Sequence, residues 1–152
     1  MTAQDLNTPA AFVYPMSYTD REVREKIQAS LKLNSSKPIP LRGEKSFQAQ
    51  LTPKGVHVDN LGASSLLPWA DFLETVRFLE QQGGRALKGN ATDREGRLGT
   101  QLLPIDSIEG HLAHINYGKT LGDSVFRRIV PIAHILALAG ICRNGRGYLE
   151  LV

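Results

Sequence analysis

The chain has 152 residues, a formal net charge of +3, 41% hydrophobic and 22% charged residues, and one cysteine, Cys142. That length fits one ordinary domain with a tail, and the composition argues against wholesale disorder, an intramolecular disulfide framework and a cysteine-built zinc cage. The densest apolar run, 129–142, is broken by Pro131, His134 and Gly140 and falls short of the roughly 20 residues that cross a bilayer.

The N-terminal stretch MTAQDLNTPAAFVYP lacks the charged start and apolar core of a secretory signal. With the single cysteine, this leads to the expectation of a cytoplasmic protein with no membrane partner. The charge is unevenly placed. Residues 1–84 are neutral, and the whole excess falls in 85–152. Arginines dominate there: Arg85, Arg94, Arg97, Arg127, Arg128, Arg143 and Arg146. A planar guanidinium fork suits phosphate and base-edge contacts better than a lysine point charge. The plainer reading of the same residues is a solvated basic face.

Along the chain, residues 1–16 show no period and read as a tail. Thr19 followed by Glu22 is a capping-box pattern, and Val23, Ile27 and Leu31 form one narrow stripe on a helix over 20–32. So thin a stripe is expected to dock on the body of the domain or on a second chain. SSKPIPLRG (35–43) reads as a linker, which divides the chain into 1–43 (tail, amphipathic helix and linker) and 44–152 (one globular domain). Phe47, Ala49 and Leu51, then Val56 and Val58, alternate about Thr52-Pro53-Lys54-Gly55 and predict a hairpin. Trp69, Phe72, Leu73, Val76 and Leu79 share a helical face that Gly83-Gly84 closes, with Trp69 and Phe72 as core anchors. Residues 85–104 carry glycines and cations without a period. Such a stretch is either an arm laid along a phosphate backbone or a loop charged for solubility.

In the last third, Asp106 or Ser107 can cap a helix carrying Ile108, Leu112 and Ile115, which Tyr117-Gly118 ends. Asp123 and Ser124 offer a second cap before Val125, Phe126, Ile129 and Val130, and Pro131 either kinks that helix or starts a new one. The segment 132–141 is apolar on nearly every side and is expected to be buried or at an oligomer interface. Asn144-Gly145-Arg146-Gly147 reads as a hairpin turn. The fold class expected from these elements is α+β, a small sheet of hairpins packed with three to four helices.

The stretch DSIEGHLAHINYGKTLGDSVFRRIVPIAHILALAGICRNGRGYLEL, ordered helix, loop, helix and hairpin, resembles the second half of a winged helix-turn-helix DNA-binding domain. In that family the second helix enters the major groove and the hairpin wing touches backbone or minor groove. The resemblance implies that Arg127 and Arg128 lie near the start of a recognition helix and that Arg143 and Arg146 lie on the wing. It also implies that Lys119 and Thr120 meet phosphate. The basic segment with Arg85, Lys88, Arg94 and Arg97 would extend the contact. The sequence departs from that pattern in a longer inter-helix loop, in Pro131 and in the apolar helix after it, which leaves only the first turns to face DNA.

Enzyme signatures are missing. His111 and His114 are three apart on one helix, but Asp106 and Glu109 do not complete a standard metal set with them. KGNATDREGRLG has neither P-loop spacing nor a strand-to-helix context, and no histidine signature accompanies Cys142. His134, amid Ile and Leu, reads as a core or interface histidine. The expectation is therefore a non-catalytic, nucleic-acid-binding regulator or architectural protein of bacterial type. DNA is the favoured partner, the chain is expected to form a homo-oligomer such as a dimer, and no cofactor or metal is called for. The alternatives are a protein–protein interaction or oligomerisation module and, third, a metal-dependent nuclease or hydrolase built on scattered acids such as Asp59, Asp71, Asp93 and Glu95.

Overall fold

A computed structural model describes residues 17–34, 37–62, 65–91 and 96–152; the N-terminal tail and Arg94 lie outside the described residues. The first helix, α1 (Asp20–Asn34), opens on a reciprocal cap. The Thr19 N–H donates to Glu22 Oε1 at 2.8 Å and the Glu22 N–H donates to Thr19 Oγ1 at 3.1 Å, so two otherwise orphaned amides are satisfied. Its stripe of Val23, Ile27 and Leu31 is buried in the principal core of the chain itself. Arg77 ties the helix start to the body through Asp20, at 2.6 Å. Core side chains therefore stand on both sides of the boundary expected at 43/44.

Two hairpins follow. Strands β1 (Ile39–Pro40) and β2 (Ser46–Phe47) pair antiparallel, so the expected linker holds a strand and a turn over 41–45. Strands β3 (Ala49–Thr52) and β4 (Gly55–Val58) form the anticipated hairpin, and β5 (Leu66–Pro68) extends it in the order β3-β4-β5. The Thr52 hydroxyl accepts from the Lys54 and Gly55 amides and locks the turn. Strand β5 runs straight into α2 (Trp69–Gln81), and Gly83 and Gly84, both at positive φ, turn the chain out of it.

The remaining elements are β6 (Arg85–Leu87), α3 (Ile108–Tyr117), α4 (Ile129–Leu138), β7 (Cys142–Asn144) and β8 (Tyr148–Leu151). Their sheet has the order β6-β8-β7, all antiparallel. Residues 85–87 thus form a strand, which the sequence alone leaves unassigned because the partner lies some sixty residues away. Leu98 and Leu103 bury themselves with Ala113 and Val125 in a small second core, which anchors the segment that begins at residue 96. On α3 the Ser107 hydroxyl accepts from the Gly110 amide as expected, and Gly118, left-handed at φ 66°, caps the other end.

The second helix of the pair begins at Ile129, later than its cap signals suggested. Asp123 instead accepts from the amide and hydroxyl of Thr120, closing a turn within the loop. Pro131 then sits in the first turn of α4, where a missing N–H costs nothing. The architecture is α+β, with four helices among the described residues. No helix among them is long and apolar enough to cross a membrane.

Gly110 on α3 has no room for a side chain, because a Cβ there would collide with the Pro104 carbonyl oxygen. Alanine in a helix ordinarily gains about 1 kcal/mol over glycine, whereas forcing a backbone segment aside costs about 1–3 kcal/mol. Gly110→Ala is therefore expected to lower stability despite its helix propensity, read as a reduced urea midpoint. An unchanged or higher midpoint would show that the 104–107 turn yields freely.

Candidate functional site

The helix start that would present a recognition surface is built by a side chain from another helix. Glu109, fully buried on α3, accepts the N–H groups of Arg128 and Ile129 on Oε1, both at 2.9 Å. These are the first amides of α4, and no side chain of α4's own N-cap residue satisfies them. The Glu109 amide in turn donates to the Lys88 carbonyl at 2.9 Å, and the Lys88 amide donates to Gly147 O at 2.9 Å. One residue therefore ties α3 to the start of α4, and through Lys88 to the hairpin turn.

The two arginines next to this cap part company. Arg128 turns inward, its guanidinium 3.7 Å from the Tyr117 ring centroid, donating to Phe126 O at 2.9 Å and lying 3.9 Å from Asp71. Asp71 is fully buried on α2 and accepts from the Tyr117 hydroxyl at 2.6 Å and from the Asn116 amide at 3.0 Å. Burial and that bond to Asp71 hold the Tyr117 hydroxyl well above its ordinary value. Arg127 is exposed and faces a groove.

That groove consists of two adjoining concavities of about 640 and 480 Å³, which share Arg42, Lys88, Arg127 and Val130. Lys45 and His134 line the first, and Arg146 lines the second. The cations come from four separate segments: the β1–β2 turn, the residue after β6, the residue before the N-cap of α4, and the β7–β8 turn. No Asp or Glu is among the described lining residues. None of the ion pairs among the described residues involves Arg42, Lys45, Lys88, Arg127 or Arg146. Lys88 donates to Gly145 O at 2.8 Å, and burial, with Arg42 nearby, brings its ammonium down to about 8. Burial, then Lys88 and Arg42, also lower His134, which meets Phe47 edge-on at 6.2 Å. Like charges crowded beside a half-buried amine form a positive field that an anion would relieve.

Of the cations singled out in the sequence, the groove brings together Lys88, Arg127 and Arg146. The other described ones go elsewhere. Arg85 lies over the Tyr148 ring at 3.7 Å, and Arg143 pairs with Glu150 at 3.0 Å. Arg97 donates to Gly122 O, and the Thr120 hydroxyl is held by Asp123. Lys119 stands in the loop after α3, where its amide donates to Ala113 O. Sequence reasoning missed Arg42, which sat in a supposed linker, Lys45 just beyond it, and His134. A Gly-centred turn with flanking cations, LRGEK (41–45), was the available signal.

The other candidate chemistries find different settings. His111 Nε2 lies 2.7 Å from Glu74 and the ring stacks on Phe78, whereas His114 Nδ1 lies 2.9 Å from Lys119 O. The two histidines thus address different partners, and no group of three metal-ligating residues occurs among the described residues. Cys142 is buried, which pushes its thiol up to about 12 and keeps it protonated at neutral pH.

Burial also raises Glu109 to about 7, against the opposing pull of its two amide donors. A folded-state value above that of a free carboxyl ties the protonated form to the folded state, so stability is greatest below the ordinary glutamate value. It is expected to fall as pH rises from about 4.5 towards 7, by roughly 1 to 3 kcal/mol in all. Glu109→Gln cannot ionise, and its unfolding free energy should be flatter across that window; equal slopes in wild type and variant would refute the assignment. The chain matches no protein-family model, no curated protein and no solved structure.

Proposed function

We propose that the protein binds nucleic acid without catalysis, in a regulatory or architectural role, with duplex DNA as the favoured partner. The observation that carries this reading is the convergence of Arg42, Lys45, Lys88, Arg127 and Arg146 on one groove that no described acid lines. Backbone phosphates run as a regular array of single charges, and a row of exposed arginines and lysines neutralises them with release of counterions. The order α3, loop, α4, hairpin supports the winged-helix resemblance, with Arg146 on the wing turn and Arg127 beside the start of the second helix.

The apolar character of α4 limits how that helix is used. Ile129, Ile132, Ala133, Ile135 and Leu136 are buried. Of its outward residues, Val130 and His134 line the groove, which the 41–45 turn also walls. The contact is therefore one of phosphates along the groove rim rather than a helix laid deep in a major groove, and specificity rests on few base edges. The stripe of α1 and the buried face of α4 are used within the chain, so this mode of binding does not depend on a second copy.

Fluorescence anisotropy of a labelled mixed-sequence duplex and of its single strand, at several salt concentrations, tests the reading. If all five cations meet phosphate, log affinity should fall with log salt at a slope on the order of −4. Arg127→Ala with Arg146→Ala should weaken binding more than tenfold and flatten the slope by about 2 while leaving the fold intact. Arg128→Ala should act instead on stability, because its side chain is engaged with Tyr117 and Phe126. No salt-dependent binding to either nucleic acid at low salt would retire the proposal.

A further inference from the structure

We propose that the larger concavity, between the 41–45 turn and α4, is a seat for a nucleoside phosphate monoester, either a free nucleotide or the phosphorylated end of a strand. The inference deepens the nucleic-acid reading and, for the strand end, rests on it, since the end would arrive along the groove. Two features of the cavity define the ligand.

The first is charge. Arg42, Lys45, Lys88 and Arg127 all line this one cavity, and no carboxylate is among its described lining residues. A backbone diester brings one negative charge, whereas a terminal monoester carries about 1.5 to 2 at neutral pH together with three acceptor oxygens. Four cations at one cavity match the monoester. Arginine supplies a two-pronged fork and lysine a mobile point charge, the usual pair on such groups.

The second feature is the apolar wall. Leu61, Phe126, Val130 and Pro131 share the lining with the cations. An inorganic anion would leave that wall against water, whereas a ligand with a flat ring beside its phosphate covers it. The volume of about 640 Å³ lies within the range of small-molecule sites, roughly 300–1,000 Å³.

The test compares three forms of one duplex of identical sequence: closed at both ends by hairpin loops, with 5′-hydroxyl ends, and with 5′-phosphate ends. Calorimetric titrations with adenosine 5′-monophosphate, uridine 5′-monophosphate and inorganic phosphate run alongside. Arg42→Ala and Lys45→Ala, both at exposed positions, are the variants, with thermal unfolding to confirm the fold. The strand-end source predicts about tenfold tighter binding of phosphorylated than hydroxyl ends, lost in either variant. The free-nucleotide source predicts binding of adenosine or uridine monophosphate in preference to inorganic phosphate, again lost in the variants. Equal affinity for all three duplexes, with no nucleotide binding or with nucleotide binding that ignores both substitutions, overturns the inference while the groove reading stands. Inorganic phosphate binding as tightly as adenosine monophosphate also overturns it, because the apolar wall would then contribute nothing.

Discussion

The carboxylate of Glu109 is the constraint on which the C-terminal half depends. A helix leaves its first amides without partners, and α4 opens on residues that carry no capping oxygen of their own. Glu109 supplies that oxygen from α3, in a buried site whose low dielectric strengthens a hydrogen bond relative to the surface. The arrangement has a cost. Its second oxygen, Oε2, has no hydrogen-bond partner among the described residues, and the buried group resists ionisation. The favourable field of the helix N-terminus and the two amides oppose that penalty, and the balance makes the cap sensitive to protonation.

Once Glu109 has fixed the start of α4, the fate of its neighbours is settled. The backbone there directs Arg128 inward, towards Tyr117 and Asp71, and leaves Arg127 on the opposite side, facing the groove. One arginine becomes part of the framework and the next becomes part of the surface. The chemical types are identical; only the direction imposed by the helix start separates them. Lys88 is fixed by the same device, since its carbonyl accepts from the Glu109 amide while its own amide donates to Gly147 O in the β7–β8 turn. Two of the groove's cations, Arg127 and Lys88, thus adjoin residues that the capping arrangement holds.

The groove itself works against folding. Like charges gathered at one place repel each other, and a half-buried amine loses hydration that its bond to Gly145 O only partly restores. Elsewhere on the same sheet the chain neutralises its arginines: Arg143 pairs with Glu150, and Arg85 rests on Tyr148. Among the described residues, no such ion pair forms at the cations of the groove. The crowding is then a local strain that a bound anion would remove.

Short-range order was legible in the sequence alone. The Thr19–Glu22 box, the turn at Thr52–Gly55, the glycine stop after α2, the Ser107 cap and the Asn144–Gly147 turn each depend on residues within four or five positions, and all are present. The stripe of α1 was legible for the same reason, although not which of its two expected partners, its own chain or a second one, would bury it. Tertiary structure decided everything that joins distant residues. Strand β6 was invisible because three residues without a period become a strand only when β8 offers its edge. The start of α4 was misplaced because its cap comes from α3, and the local candidate, Asp123, was already engaged with Thr120. The cations of the groove come from segments far apart in the chain, and sequence spacing records nothing of such convergence. Local patterns are written in hydrogen bonds a few residues long, whereas a site is written in the packing that brings remote side chains to one surface.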